Sequence, residues 1–266
     1  MELELLYEPD GLPAFALPDA LTALYPGSLG FEAPCVFANF VETIDGVVAI
    51  PTVEQSNKLI AAGNAADRFV MGLLRACADA VAIGAGTLAA SPRGVWTPKQ
   101  AYPDAAAHYD ELRAALGLGA QPEIVVLSAS GGLDPAHPLF EAGALVLTTD
   151  VGRTLLGDRL PGASTLLSLG PGGELDPTAV VGALRARGHR LILHEGGPHV
   201  IGSFFKAGAV DELFLTISPL LTGRTLVDPR LTLVEGADLL PGLRTRLLGV
   251  RRETDHLFVR YGILQA

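Results

Sequence analysis

The chain has 266 residues, 49% of them apolar and 18% charged, with a formal net charge of −10. That composition suits one large or two small compact domains and excludes a disordered chain, while the acidic balance without a Lys/Arg cluster argues against a nucleic-acid surface. The longest apolar stretch, 70–90, is broken by Arg75 and Asp79 and is no membrane span; two cysteines, Cys35 and Cys77, make no disulfide framework or zinc set, so a cytoplasmic, metal-free protein is expected.

Residues 1–30 mix Pro, Gly and apolar residues without a period and read as an arm or short helix on the main body, with one domain over 31–266. Residues 35–41 are strand-like and run into an Asp45-Gly46 turn. From 65 to 78, Phe69, Val70, Leu73, Leu74 and Cys77 recur at helical spacing. The apolar run 80–83 then ends in Gly84-Ala-Gly86-Thr87, small residues with a hydroxyl suited to a phosphate oxygen. This is not the Rossmann fingerprint, because Ala89 stands at the last glycine position and no clear acid follows about 20 residues on. Residues 89–104 carry three prolines and a tryptophan and read as an irregular loop, and 104–116 as a helix. Short strands are expected at 123–127, 144–148 and 164–169, with a helix near 152–159. Asp176-Pro177 reads as an N-cap with proline in the first turn of a helix ending near Gly188.

The most informative segment follows. Leu191-Ile-Leu-His194 ends in Glu195, two glycines (Gly196, Gly197) and Pro198, where a helix would begin. Glycines admit a close ligand and a helix start favours an anion, so a ligand site at the strand end is one reading; a plain helix entry with Glu195 as a surface charge is the other. His194 and His199 flank the turn without a third ligand nearby and read as ordinary turn histidines. Two glycine turns together suggest an extended phosphate-bearing cofactor across several strand ends. The remainder reads as strands at 212–217, 231–235, 247–254 and 257–261, hence a mainly parallel sheet covered on both faces with antiparallel strands at one edge.

These signals resemble, in order, the pyrimidine reductases of riboflavin biosynthesis. The matching pieces are Asn39-Phe-Val-Glu-Thr-Ile-Asp-Gly46, Leu73-Leu-Arg75-Ala, Asp79-Ala-Val-Ala-Ile-Gly-Ala-Gly-Thr87, Glu195-Gly-Gly197, and Val210-Asp-Glu-Leu213 leading to Ser218-Pro219-Leu-Leu-Thr-Gly223. The resemblance spans about residues 35–225 and implies an α/β, dihydrofolate-reductase-like three-layer sandwich with a mainly parallel central sheet. The zinc deaminase domain of some members is missing, so the chain resembles the reductase half standing alone.

The family implies NADPH as hydride donor and a ribosylaminopyrimidine 5′-phosphate as acceptor, its ribosyl ring opened by hydride delivery to the first carbon. Carried over, Gly84, Gly86 and Thr87 would lie along the cofactor, with Gly196, Gly197 and Pro198 at its phosphates. Ser128, Thr148, Thr149 and Arg153, after later strands, would reach the adenosine side. Glu195 and Asp45 are the catalytic candidates. Asn39, Thr43, Ser56 and Arg75 would line the substrate pocket, with Arg75 toward the substrate phosphate; the alternative for Arg75 is a surface arginine laid on its helix, and for Asp45 a turn-former. Two positions depart from the pattern: Asn39 replaces a common lysine, and Ala90-Ser91-Pro92 replaces Asp-Asp-Pro. A dihydrofolate-type reductase and a non-catalytic nucleotide-binding protein are the alternatives. Partners are expected to be a small phosphorylated pyrimidine and a second copy of the chain, joined through the strand-rich C-terminal region.

Overall fold

The computed structural model describes residues 2–225, 227 and 230–264. The first half contains β1 (Glu4–Tyr7), α1 (Asp19–Leu24), β2 (Cys35–Thr43), α2 (Ser56–Ile60), α3 (Ala65–Cys77), β3 (Ala80–Gly84), α4 (Ala85–Ala89), α5 (Pro98–Ala101), α6 (Ala106–Ala115) and β4 (Glu123–Leu127). The second half adds α7 (Pro138–Ala142), β5 (Leu145–Thr148), α8 (Asp150–Leu156), β6 (Thr165–Ser168), α9 (Pro177–Ala186) and β7 (Leu191–His194). It closes with α10 (Pro198–Lys206), β8 (Glu212–Ser218), β9 (Thr245–Glu253) and β10 (His256–Ile263).

The strands form one ten-stranded sheet in the order β1-β9-β10-β8-β2-β7-β3-β4-β5-β6. From β8 to β6 every pairing is parallel. β10, β9 and β1 continue the sheet antiparallel, so the N-terminal segment supplies the outermost strand beside a C-terminal hairpin. The parallel strands are apolar on both faces because helices cover both. Phe37, Val81, Ile83 and Leu193 point into a core with Phe69, Leu73 and Leu74 of α3 and Tyr109 and Leu112 of α6. Val36, Ala82 and Ile192, one residue out of phase, point into the opposite core with Val180 and Leu184 of α9 and Ile201 and Phe204 of α10. This is the three-layer α/β architecture expected, with period-two alternation sorting each strand between the layers.

Local chemistry sets the helix starts. The Asn64 side chain accepts the Asp67 amide at 3.0 Å to cap α3, and Asp176 accepts the Thr178 amide at 3.0 Å to cap α9, with Pro177 in the first turn.

Two expectations need correction. Residues 89–104 are not wholly irregular: Thr97 caps α5 and Pro98 opens it, while the Gln100 side chain accepts the Val95 and Trp96 amides and donates to the Arg93 carbonyl. The strand expected at 231–235 is only a bridge between Leu231 and Ala49. There Glu235 Oε1 accepts both the amide and the hydroxyl of Thr232, at 2.7 and 2.8 Å, which bends the segment away from extension.

Candidate active site

The chain runs β3, β4, β5, β6 in one direction across the sheet, then returns to insert β7 between β2 and β3. Crevices form where strand order reverses in this way, at the carboxyl ends of the strands. His194 pairs with Ala38 of β2 and Ala82 of β3, and the Glu195 amide donates to the Ala82 carbonyl at 2.8 Å. The two glycine turns therefore emerge side by side.

Their contact explains the glycines. A Cβ on Gly84 would lie 3.0 Å from the Val200 side chain and 3.7 Å from the Gly197 amide nitrogen. A Cβ on Gly196 would lie 2.6 Å from the His194 ring and 3.2 Å from the Gly84 nitrogen. One on Gly197 would come within 3.6 Å of the Thr87 hydroxyl, whereas Gly86 faces open space. Helix α10 starts here with Gly197 as its cap residue, no side-chain cap and Pro198 first, leaving its opening amides without a side-chain acceptor. Gly84, Gly86, Thr87, Gly196, Gly197 and Pro198 are thus brought together. Farther along the same edge, Ser128 and Thr148 are buried, and the Thr148 hydroxyl donates to the Ser128 carbonyl at 2.6 Å. Thr149 donates to the Ala129 carbonyl at 2.8 Å and caps α8, and Arg153 is exposed. The hydroxyls of Thr148 and Thr149, expected at an adenosine, are committed to backbone.

On the α3 side of the sheet, Arg75 and Glu195 form a buried ion pair. Arg75 Nε donates to the two Glu195 oxygens at 3.0 and 3.1 Å and Nη2 donates at 2.6 Å, with side chains only 7% and 8% exposed. Nη1 reaches the Thr97 carbonyl at 3.4 Å. The guanidinium faces Glu195 because a buried carboxylate at the strand end needs a cation, so Arg75 is not a surface arginine laid on its helix. Glu195 is correspondingly no surface charge.

Asp67, two helical turns before Arg75, is a buried carboxyl that residue patterns alone did not single out. Burial pushes it up to about 6 against the lowering effect of a hydrogen bond from Thr216 of β8, and the Glu195 charge raises it further. Its place seven residues before Leu74 and three before Val70 puts it on the buried stripe of α3, and that periodicity is the signal that marks it. Asn39, beside Phe214 in register, and Thr216 line one small cavity with Val70.

Thr43, Asp45 and Ser56 follow farther along the chain from Asn39. β2 continues four residues past Asn39, about 13 Å, before reaching Thr43. There the buried Thr43 hydroxyl donates to Asp45 and accepts the Val47 amide at 3.0 Å. The Asp45 carboxylate also accepts the Thr222 and Gly223 amides at 3.3 and 2.7 Å. The Thr43 hydrogen bond, with these amides, holds its carboxyl below the usual range. Ser56 accepts the Ile50 amide at 3.1 Å. The Asp45 carboxylate thus bridges its own turn and the loop at 222–223.

His194 also departs from expectation. It is fully buried beneath α10, its ring centroid 4.6 Å from that of Phe204, and Nδ1 accepts the Gly196 amide at 3.1 Å. Among the described residues no group of three or more His, Cys, Asp or Glu is arranged to hold a metal, and no helix is long and apolar enough to cross a membrane.

A pyrimidine reductase-like protein of Corynebacterium diphtheriae has a similar structure, with 24% identity over 88% of this chain and 93% of that one and a TM-score of 0.68. RibD of Acinetobacter baumannii matches with 21% identity over 92% of this chain and a TM-score of 0.65; this chain spans 61% of it. The riboflavin biosynthesis reductase Rib7 of Saccharomyces cerevisiae matches with 14% identity over 93% and 96% of the two chains and a TM-score of 0.57. At these identities the likeness is one of fold. No curated protein sequence matches significantly. The family model described as the RibD C-terminal domain matches residues 34–256, and with that span covering most of the sheet and both glycine turns, the chain belongs to the RibD C-terminal domain family.

Proposed function

We propose that this chain is an NADPH-dependent reductase of a ribosylaminopyrimidine 5′-phosphate, of the 5-amino-6-(5-phosphoribosylamino)uracil type. The observation that carries the reading is the contact between the two glycine turns at the reversal of strand order. Gly86 and Gly197 have no neighbour closer than 3.6 Å where a Cβ would stand, which leaves room along the turns for a nucleotide. Thr87 and the uncapped start of α10 would hold its phosphates. When bound, the nicotinamide supplies the hydride. Glu195, oriented by Arg75, presents a fixed carboxylate at the strand end, with Asp67 of α3 as a second buried carboxyl whose charge interacts with it. Neither Asn39 nor Ser91 carries the charge common at its position in the family, so the generic reduction is supported better than the standard intermediate. The protein acts in the cytoplasm as a homodimer joined near the antiparallel edge, with a dimer mass by light scattering as the expected result.

The test is titration by fluorescence. NADPH binds, NADH binds more weakly, and Gly197→Val abolishes binding because its side chain fills the space beside Thr87. A folded Gly197→Val protein with undiminished NADPH affinity overturns the assignment.

A further inference from the structure

We infer that His194 is a positioning residue for the nucleotide-binding turn: its unprotonated Nδ1 holds the Gly196 amide and thereby fixes the path of Gly196-Gly197 toward Thr87. The inference rests on the nucleotide site proposed above, and concerns a residue that sequence patterns leave as an ordinary turn histidine.

Three observations converge. First, backbone bonds fix the turn at its two ends, the Glu195 amide to the Ala82 carbonyl and the Val200 and Ile201 amides to the Gly197 carbonyl, and leave Gly196 between them. Gly196 and Gly197 carry no side chains, and no side chain caps α10. Against that background the bond from the Gly196 amide to His194 Nδ1 at 3.1 Å is a specific strut. Second, the imidazole cannot swing away. It has no solvent exposure, lies against Phe204 with an interplanar angle of 58°, and its Cε1 stands where a Gly196 Cβ would be, at 2.6 Å. The glycine and the histidine thus fit each other as a pair. Third, the tautomer is determined by the contact. An Nδ1 that accepts must be unprotonated, which places the proton on Nε2, and Nε2 has no hydrogen-bond partner among the described residues. Keeping that N–H buried and unpaired is unfavourable, and only the tautomer that serves Gly196 requires it. Burial also pushes the ring down to about 3, so the acceptor persists through the neutral range.

The first test needs no substitution. In the wild-type protein, ¹⁵N NMR of His194 should show Nδ1 as an acceptor and Nε2 protonated, with the Gly196 amide protected from exchange before any nucleotide is added. A protonated Nδ1 overturns the inference. The second uses variants and NADPH as the probe. His194→Leu removes the acceptor and should weaken NADPH binding about tenfold while speeding Gly196 amide exchange. His194→Asn, whose Oδ1 can occupy the Nδ1 position, should restore both to within about threefold of wild type. A purely structural role would lower the melting temperature of both variants without separating them in affinity. Equal NADPH affinity in His194→Leu and wild type, or a failure of Asn to rescue, overturns the positioning role. Absence of NADPH binding by the wild type instead overturns the nucleotide reading, and the two failures are distinct.

Discussion

Separating Arg75 from Glu195 gives the sharpest check on the site. The pair makes three contacts between 2.6 and 3.1 Å with both side chains almost wholly buried. Arg75→Met keeps the stem and removes the charge, leaving a buried carboxylate whose near neighbour is another carboxyl, Asp67. Removing one partner of such a pair costs about 3–5 kcal/mol, mostly the penalty of the stranded charge. Glu195→Gln strands the guanidinium in turn, relieved in part by the Thr97 carbonyl. In the double variant neither charge is left behind, so its destabilisation should fall short of the summed single losses by about 2–3 kcal/mol.

Urea unfolding of the four proteins at pH 7.5 measures that coupling. A value below about 0.5 kcal/mol means that the two groups do not interact in solution and refutes the geometry. A second arm tests function: Arg75→Met should weaken phosphorylated and unphosphorylated pyrimidine ligands alike, since the guanidinium acts through Glu195. Selective loss of the phosphorylated ligand would return Arg75 to the phosphate-binding role that the resemblance implies.

Two buried groups give pH dependences of opposite sign. Asp67 is raised to about 6 in the folded protein, so its contribution is fully present below about pH 4 and is lost as pH rises through 6, about 3 kcal/mol in all. Asp67→Asn should therefore raise the urea midpoint at pH 7.5, and an unchanged pH profile would count against the burial of that carboxyl. His194 is lowered to about 3, so its contribution is full above about pH 6.5 and falls away toward pH 3, by about 5 kcal/mol; His194→Asn should unfold less steeply with acid, and a parallel acid transition would contradict this. Gly152→Ala would bring a Cβ within 1.9 Å of the Thr148 hydroxyl and 2.6 Å of the Ala129 carbonyl. A loss of about 1–3 kcal/mol in thermal or urea unfolding is expected, and a neutral result would show that the β5–α8 turn has slack.

The parts legible in the sequence are those fixed by near neighbours. Asp176-Pro177 opens α9 because a side-chain oxygen and a missing N–H act within one turn. The runs around Val81, Val125 and Ile192 read as buried strands because a parallel sheet with both faces covered needs no polar alternation. The glycine turns were visible for the same reason. What was not legible depends on partners far along the chain. Glu195 reads as a possible surface charge until Arg75, 120 residues away, is seen beside it. Thr148 looks like a free hydroxyl until the Ser128 carbonyl, 20 residues earlier, takes it. The strand expected at 231–235 fails for a nearer cause, since Glu235 captures Thr232 and the apolar pattern says nothing about that bond.

The end of β7 shows how much of the site depends on strand parity. Leu193 and Ile192 pack into opposite cores, so consecutive residues beyond them are also sent to opposite faces. His194 goes under α10, against Phe204, where only a neutral ring is tolerated and where its Nδ1 meets the Gly196 amide. Glu195 goes to the α3 face, where Arg75 supplies the cation that a buried carboxylate requires. A one-residue insertion or deletion in β7 would exchange the two, placing an unpaired carboxylate against Phe204 and an imidazole beside a guanidinium. The proposed nucleotide turn and the proposed acid group are therefore set by the same four-residue strand. Their separation into two layers requires nothing more than the alternation of its side chains.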